Sequence, residues 1–489
     1  PLVGAPSKFS PLECVRLLLI LNSPPKRLLP ALDTPSMHKL LTCLGFAFLV
    51  GFPALAQDKP SLPPAIPARE AISMNRGMPE EFFAELGNIL SGMEKTAPLL
   101  GVERQREKEA QARKIVSDGR QGWRAGLGLS GYSLHENRDG GSYDDRFRFL
   151  ASANAKRPIY HWGALQAESR IARLGILDAR SSYAETHRQL VSAIRSSYLE
   201  LVLSGYALEL AKDSLSLAQE NQETANRKRE LGLLTAVDVS ETKIATLRQR
   251  IRIFELEREI RAETQLFAHE TGWKQELNFA IPESFRRFVT GFESTRPAVP
   301  VGGAIRSGAL ESLDHAIAME SERVIVAEAI RKPKVNLVGS LYQDQVDALD
   351  SAKTLDRTNL VVGVQVQWDL FDGGESEGRK SEALSRKRRF QMQREYEKER
   401  LVLRRNRLLH DLETRAELVK SRQELAAVSN EKFEKSRIEF DQNRITVEDF
   451  FAYRLELDQS KLDLMGAVVD YLGLLGEYLI LHGEGKSTP

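Results

Sequence analysis

Apolar and polar residues alternate along four short parts of the chain, which are 123–132, 147–156, 335–343 and 360–370. In 360–370, for example, Leu, Val and Trp occupy every second position, with polar residues or glycine at most of the others. Such alternation is typical of strands with one apolar face. We therefore predict two strand hairpins, 123–156 and 335–370, each closed by a polar loop.

Long segments without this alternation follow each predicted hairpin. They are rich in Ala, Leu, Glu and Arg, with apolar residues three or four positions apart, and they contain almost no Gly or Pro. This pattern predicts helices. Each helical hairpin, 164–270 and 375–481, has a break at a tip, 231–238 and 442–449. Gly232 and Asn443 tolerate the left-handed backbone that ends a helix. Thr235 and Thr446 are suited to cap the returning helices near Asp238 and Asp449.

Three landmarks recur at one offset of 211 residues. They are Gly163 and Gly374, Thr235 and Thr446, and Asp238 and Asp449. A tandem duplication is the simplest cause. We predict repeat 1 at 71–281, an irregular proline-containing linker at 282–303, repeat 2 at 304–482, and a tail at 483–489. Each repeat opens with a helix before its strands; in repeat 1 this helix ends near Ser117.

The N-terminal part of the sequence has the pattern of an export signal. The first Met is Met37, and a short cationic start, an apolar run and Ala54-Leu55-Ala56 follow it. We expect a signal peptide at 37–56, upstream sequence outside the protein at 1–36, and a Pro-rich leader at 57–70. A membrane anchor needs about 20 apolar residues, and this run is shorter. Both cysteines, Cys14 and Cys43, precede the expected cleavage point, so no disulfide is predicted.

Charge and motif content give no indication of catalysis, a cofactor or nucleic-acid binding. The chain has 69 Lys and Arg against 68 Asp and Glu, without the basic excess typical of nucleic-acid binding. Gly126-x-Gly128-x-x-Gly131 matches a dinucleotide-binding motif, but it lies inside an alternating strand, where small residues on one face of the strand explain it better. The eight His show no metal-binding spacing,. We therefore predict no enzyme, no cofactor and no metal.

The predicted strand pairs fit either half of a sandwich or part of a membrane barrel. Four strands cannot close a barrel, and open strand edges are not tolerated in hydrocarbon. If the strands enter a membrane, the chain must therefore oligomerise, and three chains give twelve strands. A second hypothesis is a coiled-coil scaffold of the cell envelope without a membrane part, which explains the long helices but not the paired hairpins.

The DLFDGG turn (369–374), the tip ELGLLTAVDVSETK (230–243) and their paired spacing resemble the TolC-like outer-membrane efflux protein family, over about 71–482. The resemblance implies a mainly α fold with membrane β structure: a trimeric twelve-stranded barrel in the outer membrane of a Gram-negative type cell, continued by a helical periplasmic tunnel. The implied function is the exit duct of a tripartite efflux pump or type I secretion system. The implied partners are two further copies, outer-membrane lipid, and a periplasmic adaptor that connects to an inner-membrane transporter.

The resemblance also assigns roles to residues. The implied adaptor-docking tips are Gly232, Leu233, Thr235 and Asp238, and Asn443, Ile445, Thr446 and Asp449. These residues are equally suited to a purely helix-capping role. The strand-to-helix turns contain Gly163, Asp372, Gly373 and Gly374. A periplasmic gate near the second tip is expected at Arg437, Glu439, Asp441 and Arg444.

Overall fold

The computed structural model describes residues 78–136, 144–277, 279–292, 305, 307–347, 354–442 and 444–482. The expected upstream sequence, signal peptide, leader and tail, and Asn443 of the second tip, lie outside the described residues. The described chain is mostly helical with four antiparallel strands, so the predicted fold class is confirmed.

The elements follow the order of the two predicted repeats. The first half contains α1 (Pro79–Phe82), α2 (Ala84–Thr96), α3 (Pro98–Gly119), β1 (Arg124–Glu136), β2 (Asp144–Tyr160), α4 (Ala164–Glu230) and α5 (Ala236–Thr271). Helix α6 (Glu283–Thr290) follows. The second half contains α7 (Gly308–Glu328), β3 (Lys334–Asp347), β4 (Thr354–Gln367), α8 (Glu375–Asp441) and α9 (Val447–Leu481).

The single helix predicted to end near Ser117 is corrected to three helices. The backbone leaves the helical conformation at Phe83 and at Ala97, where ψ is 93° and 122°. Ala97 precedes Pro98, and proline drives the preceding residue out of the α region. Phe83 is buried, with its ring centroid 5.0 Å from that of Phe285. The conformational restriction before Pro98 and the packing of Phe83 against Phe285 therefore divide this segment into three helices.

The linker predicted as irregular, 282–303, contains helix α6. Pro282 lies just before the helix, where its missing amide donor costs nothing,. Phe285, Phe288 and Val289 are all buried against the other helices, at the spacing of one helical face. The irregular assignment is thus wrong for Glu283–Thr290, because packing against the other helices stabilises this short amphipathic helix.

Helices α4 and α8 are the longest described elements, with 67 residues each. At 1.5 Å per residue each spans roughly 100 Å. Each begins directly after a left-handed glycine, Gly163 with φ 80° or Gly374 with φ 90°. Strands and helices both have negative φ, so a residue with positive φ interrupts them. These glycines therefore mark where the strand ends and the long helix begins.

The four strands form one antiparallel sheet in the order β1-β2-β3-β4. Leu127, Ala153, Leu341 and Leu360 lie in one row across all four strands. The next row contains Gly128, Ser152, Tyr342 and Asn359. Because neighbouring residues of a strand point to opposite faces, one face of the sheet is apolar and the other is largely polar.

The helical body has its main core where α1, α2 and α6 pack between the long helices. Tyr198 of α4, Phe267 of α5 and Tyr471 of α9 are almost completely buried there. Within the described residues, α9 is long and apolar enough to cross a membrane, but most of its apolar part is buried by other helices. We assign α9 as the core helix of this body.

Candidate functional site

The first tip, between α4 and α5, ends α4 with a left-handed glycine. Gly232 has φ 69°. Its amide donates to the Arg229 carbonyl (2.9 Å), and the Leu233 amide donates to the Lys228 carbonyl (2.9 Å). These bonds satisfy carbonyls that have no partner within the helix. Gly232 is therefore required by the turn itself.

A capping box starts α5. The Asp238 amide donates to Thr235 Oγ1 (3.3 Å), while the Thr235 amide donates to Asp238 Oδ2 (2.8 Å). The Thr235 hydroxyl also donates to Asp238 Oδ2 (2.8 Å). The backbone amide of Thr235, and then its hydroxyl, lower the pKa of the Asp238 carboxyl, because both bonds favour the charged form. The conformation of this tip is therefore stabilised by hydrogen bonds between its own residues.

The second tip, between α8 and α9, repeats the same bonds 211 residues later. The Arg444 amide donates to the Glu439 carbonyl (2.9 Å). The Asp449 amide donates to Thr446 Oγ1 (3.1 Å), and the Thr446 hydroxyl donates to Asp449 Oδ2 (2.7 Å). The two tips therefore share a backbone design.

The surfaces of the two tips differ. In the first tip Leu231, Leu233 and Val237 are exposed, with Leu233 at 70%. The positions 211 residues later are Gln442, Arg444 and Glu448, which are exposed and polar. Ile445 is instead half-buried and packs with Phe433 and Phe450 in a small separate core. Of the predicted docking residues, Leu233 is thus an exposed apolar group and Ile445 is partly a core residue.

The strand-to-helix turns carry paired left-handed residues in both repeats. Trp162 and Gly163 have φ of 55° and 80°, and Gly373 and Gly374 have φ of 63° and 90°. A positive φ is rare for a bulky residue. Trp162 is held there by its indole Nε1–H, which donates to the Pro333 carbonyl (2.8 Å).

Asp372 stabilises the second turn. Its carboxylate accepts bonds from the amides of Gly374 (3.1 Å) and Ser376 (3.0 Å) at the start of α8. The hydroxyl of Ser376, followed by these amides, lowers the pKa of the Asp372 carboxyl. Asp372, Gly373 and Gly374 thus act as one helix-starting unit.

The predicted gate residues lie together at the end of α8 and in the following turn. The side chains of Arg437, Glu439, Asp441 and Arg444 are exposed. Among the described residues, none of these four side chains forms a hydrogen bond or ion pair. Within the described part of the chain, these four charged groups are therefore exposed and unpaired.

A buried polar cluster near the tips was not predicted from the sequence. The Arg454 guanidinium of α9 donates to Asp458 Oδ2 (3.1 Å) and Ser214 Oγ of α4 (3.3 Å), and lies 5.5 Å over the Phe433 ring of α8. The sequence signal was an Arg and Asp four residues apart inside an otherwise apolar helix face. This cluster joins both helical hairpins.

The apolar face of the sheet is exposed on the outer strands β1 and β4 and half-buried on β2 and β3 in the single chain. Leu127 is 79% exposed and Leu360 73%. On the opposite face, Asn154 and Ser152 side chains lie over Gly126 and Gly128, where a Cβ would meet them at 3.3 and 2.8 Å. Gly126 and Gly128 of the apparent dinucleotide motif therefore make room for polar side chains. No cluster of potential metal ligands occurs among the described residues.

Residues 95–268 match the family model described as outer membrane efflux protein. No curated protein matches the chain by sequence. Among solved structures, the fold is similar to that of CusC, with a TM-score of 0.67, 14% identity, and coverage of 86% of this chain and 98% of that one. CmeC, an outer membrane channel of Campylobacter jejuni, gives a TM-score of 0.67 at 13% identity, covering 88% of this chain and 96% of that chain.

VceC, an outer membrane protein of Vibrio cholerae, gives a TM-score of 0.64 at 14% identity, with coverage of 83% and 98%. At these identities the similarity shows a shared fold along nearly the full length of each relative. The resemblance based on the turn and tip motifs is thus confirmed: residues 95–268 match the outer membrane efflux protein model, and the fold is that of these solved channel proteins.

Proposed function

We propose that this chain is one subunit of a homotrimeric outer-membrane channel, the exit duct of a tripartite efflux pump or type I secretion system. Transport through it is passive, from the periplasm to the exterior. The observation that carries the proposal is a single sheet whose apolar face is exposed on its outer strands, joined by tight turns to helices roughly 100 Å long,. No catalytic role is assigned to any residue.

The exposed apolar face favours a lipid environment. The row containing Leu127 and Leu360 is flanked on the same face by Val362, Val364 and Val366, which are all exposed. Soluble proteins rarely expose contiguous apolar patches of this kind. In a barrel such a face meets lipid while the polar face lines the lumen.

The open sheet edges favour an oligomer. In the single chain, β1 and β4 are the outer strands of a four-stranded sheet. Membrane strands must have both edges paired, and about eight strands are the practical minimum for a barrel. Three copies, joined β4 to β1, supply twelve strands and a continuous wall. The strands then lie in the outer membrane, and most of the chain lies in the periplasm.

The helical tips are the proposed docking ends for a periplasmic adaptor, which connects the channel to an inner-membrane transporter. In the first tip, Gly232, Thr235 and Asp238 fix the turn that presents exposed Leu233. In the second, Thr446 and Asp449 fix the turn beside Ile445, with Asn443 at the position of Gly232. Arg437, Glu439, Asp441 and Arg444 are the proposed gate between subunits.

The scaffold hypothesis is not favoured. It accounts for the helices, but it gives no role to an apolar sheet face that water would otherwise contact. It also predicts extraction into aqueous buffer, whereas a barrel requires detergent.

The test is single-channel conductance in planar bilayers, with detergent-extracted protein whose mass matches a trimer. Neighbouring valines on opposite faces of β4 provide a matched pair of variants. Val362→Arg places a charge on the apolar face and is expected to cost about 2–4 kcal/mol in the membrane, which reduces the yield of assembled trimer. Val361→Arg, on the polar face, is expected to assemble and conduct.

A water-soluble oligomer without pores would refute the proposal. Equal tolerance of both arginines would show that the apolar face does not contact lipid.

A further inference from the structure

Two cations face each other across the first two strands on the polar face of the sheet. Arg124 is the first residue of β1, and Lys156 of β2 is its register partner. Directly opposed side chains have Cβ atoms about 4.5–5.5 Å apart, and like charges at such positions destabilise a sheet. Most other positions of the polar face have small or neutral residues.

The described neighbours of the pair on the polar face are uncharged. The next positions on the same face are Gly126 and Asn154, and the β3 partner of Lys156 is Val338. Among the described residues, neither Arg124 nor Lys156 forms an ion pair. Lys334, at the same end of the sheet, already has Asp369 at 3.8 Å. The positive charge of the pair is therefore available to a ligand.

A third cation, Arg157, lies close in sequence but on the other face. Its guanidinium is 5.8 Å from the centre of the Trp123 ring, and its β3 partner is Leu337. Arg157 therefore belongs to the apolar face, at the end of the sheet next to the helices. Arg157 carries the same charge as its neighbour Lys156 but lies on the opposite face of the sheet, so it is a suitable control.

We propose that Arg124 and Lys156 form an oxyanion-binding ring at the helix-facing end of the channel lumen, which favours cargo carrying carboxylate or phosphate groups. The inference rests on the proposed function, because only a closed barrel turns the polar face into a lumen. Each subunit then adds two cations to one ring, and rings of Arg and Lys are a known means of anion selection. Guanidinium and ammonium groups also bind oxyanions by charge-assisted hydrogen bonds.

The experiment measures ion selectivity and block of reconstituted trimers. Under a KCl gradient, the reversal potential of the wild type should show preference for chloride. Arg124→Gln with Lys156→Gln should lower the chloride-to-potassium permeability ratio by about threefold or more. Arg157→Gln removes one charge per subunit from the lipid face, as many as Lys156→Gln alone, and should leave the ratio unchanged.

Inorganic pyrophosphate, added from the side of the strand loops, provides a second readout that does not depend on passage through the tips. It should block wild-type current, and the block should weaken about tenfold in the double variant and with rising salt, as charges in water are screened. The double variant should melt no earlier than the wild type, because a like-charge contact is removed. If it does not assemble, Lys156→Gln alone serves for the comparison.

A conducting trimer that is cation-selective, or whose selectivity and pyrophosphate block are the same in the wild type and the double variant, would overturn the anion ring and leave the channel intact. Correctly folded trimers that form no pores would overturn the proposed function itself.

Discussion

The two helical tips share their hydrogen bonds but differ in what they expose. Both have a Thr and an Asp three residues apart in a capping box. In both, a backbone amide donates a hydrogen bond to the carbonyl five residues earlier, which ends the preceding helix. The first tip then exposes Leu231, Leu233 and Val237, whereas the second has polar residues at these positions and aromatic residues beneath them. The two tips thus share a turn but not a surface.

This difference in surface leads us to expect different roles for the two tips. Apolar groups on a rigid turn are suited to contact a partner, since burying them there gains free energy without ordering the backbone. The aromatic core of the second tip instead stabilises the end of its own hairpin. We expect the first tip to depend on its partner and the second to depend on its core.

The largest expected effect is on the core of the second tip. Phe450 is 2% exposed, and its ring centroid lies 4.5 Å from that of Phe440. Phe450→Ala is expected to destabilise the tip by about 3–5 kcal/mol. Hydrogen exchange of the peptides covering 433–457 measures this loss.

The control for this variant is Val239→Ala, at the same position of the first repeat. Only two methyl groups are lost there, at a cost of about 1–2 kcal/mol. Equal protection losses at the two tips would contradict the proposed difference between them.

Exchange of the tip surfaces tests the docking role. Leu233→Arg with Val237→Glu gives the first tip the residues of the second, and should weaken adaptor binding by about tenfold or more through lost apolar burial. Cross-linking in intact cells, followed by isolation of the trimer, measures how much adaptor remains bound. The reverse exchange, Arg444→Leu with Glu448→Val, should change binding less. A larger effect of the reverse exchange would assign docking to the second tip.

The capping boxes should respond alike in both tips. Thr235→Ala and Thr446→Ala each remove the side chain that caps the returning helix, at a cost of about 1 kcal/mol. Exchange of the first-turn amides of α5 and α9 should rise by similar factors. Conversely, a large effect at only one tip would show that the shared backbone bonds are not equally important.

The smallest expected effect is of acid on the first tip. The pKa of Asp238 is lowered in the folded chain, so its contribution to stability is fully present above its ordinary value near 4 and disappears as the pH falls through the lowered pKa. Amide exchange in the first turn of α5, corrected for its intrinsic pH dependence, should stay constant between about pH 7 and 5 and rise below about pH 4. Substitution Asp238→Asn should remove this dependence.

Local sequence signals were sufficient for much of the architecture. Long runs of helix-forming residues indicated α4 and α8, and Gly232, Thr235 and Asp238 indicated the tip bonds that the structure contains. Strand alternation indicated both hairpins, but the strands extend beyond the alternating residues into the polar loops. For example, β3 was predicted to end at 343 and ends at Asp347. Pairing with a neighbouring strand continues the ladder where the side chains no longer alternate.

Other features depend on residues far apart in the chain. The packing of α6 depends on distant residues, because its Phe285 and Phe288 contact Phe82 and Phe83, about 200 residues earlier. The cluster of Arg454, Asp458 and Ser214 likewise forms only when α4 and α9 pack together.

The sequence by itself determined the elements whose causes are local: helix propensity, left-handed glycines, caps, and the period of the strands. Only the tertiary structure decided which polar residues face each other. The opposition of Arg124 and Lys156 depends on strand register, since a shift of one residue would send one of them to the other face,. Register is fixed by pairing across the sheet and by burial of one face, neither of which is encoded in any single segment.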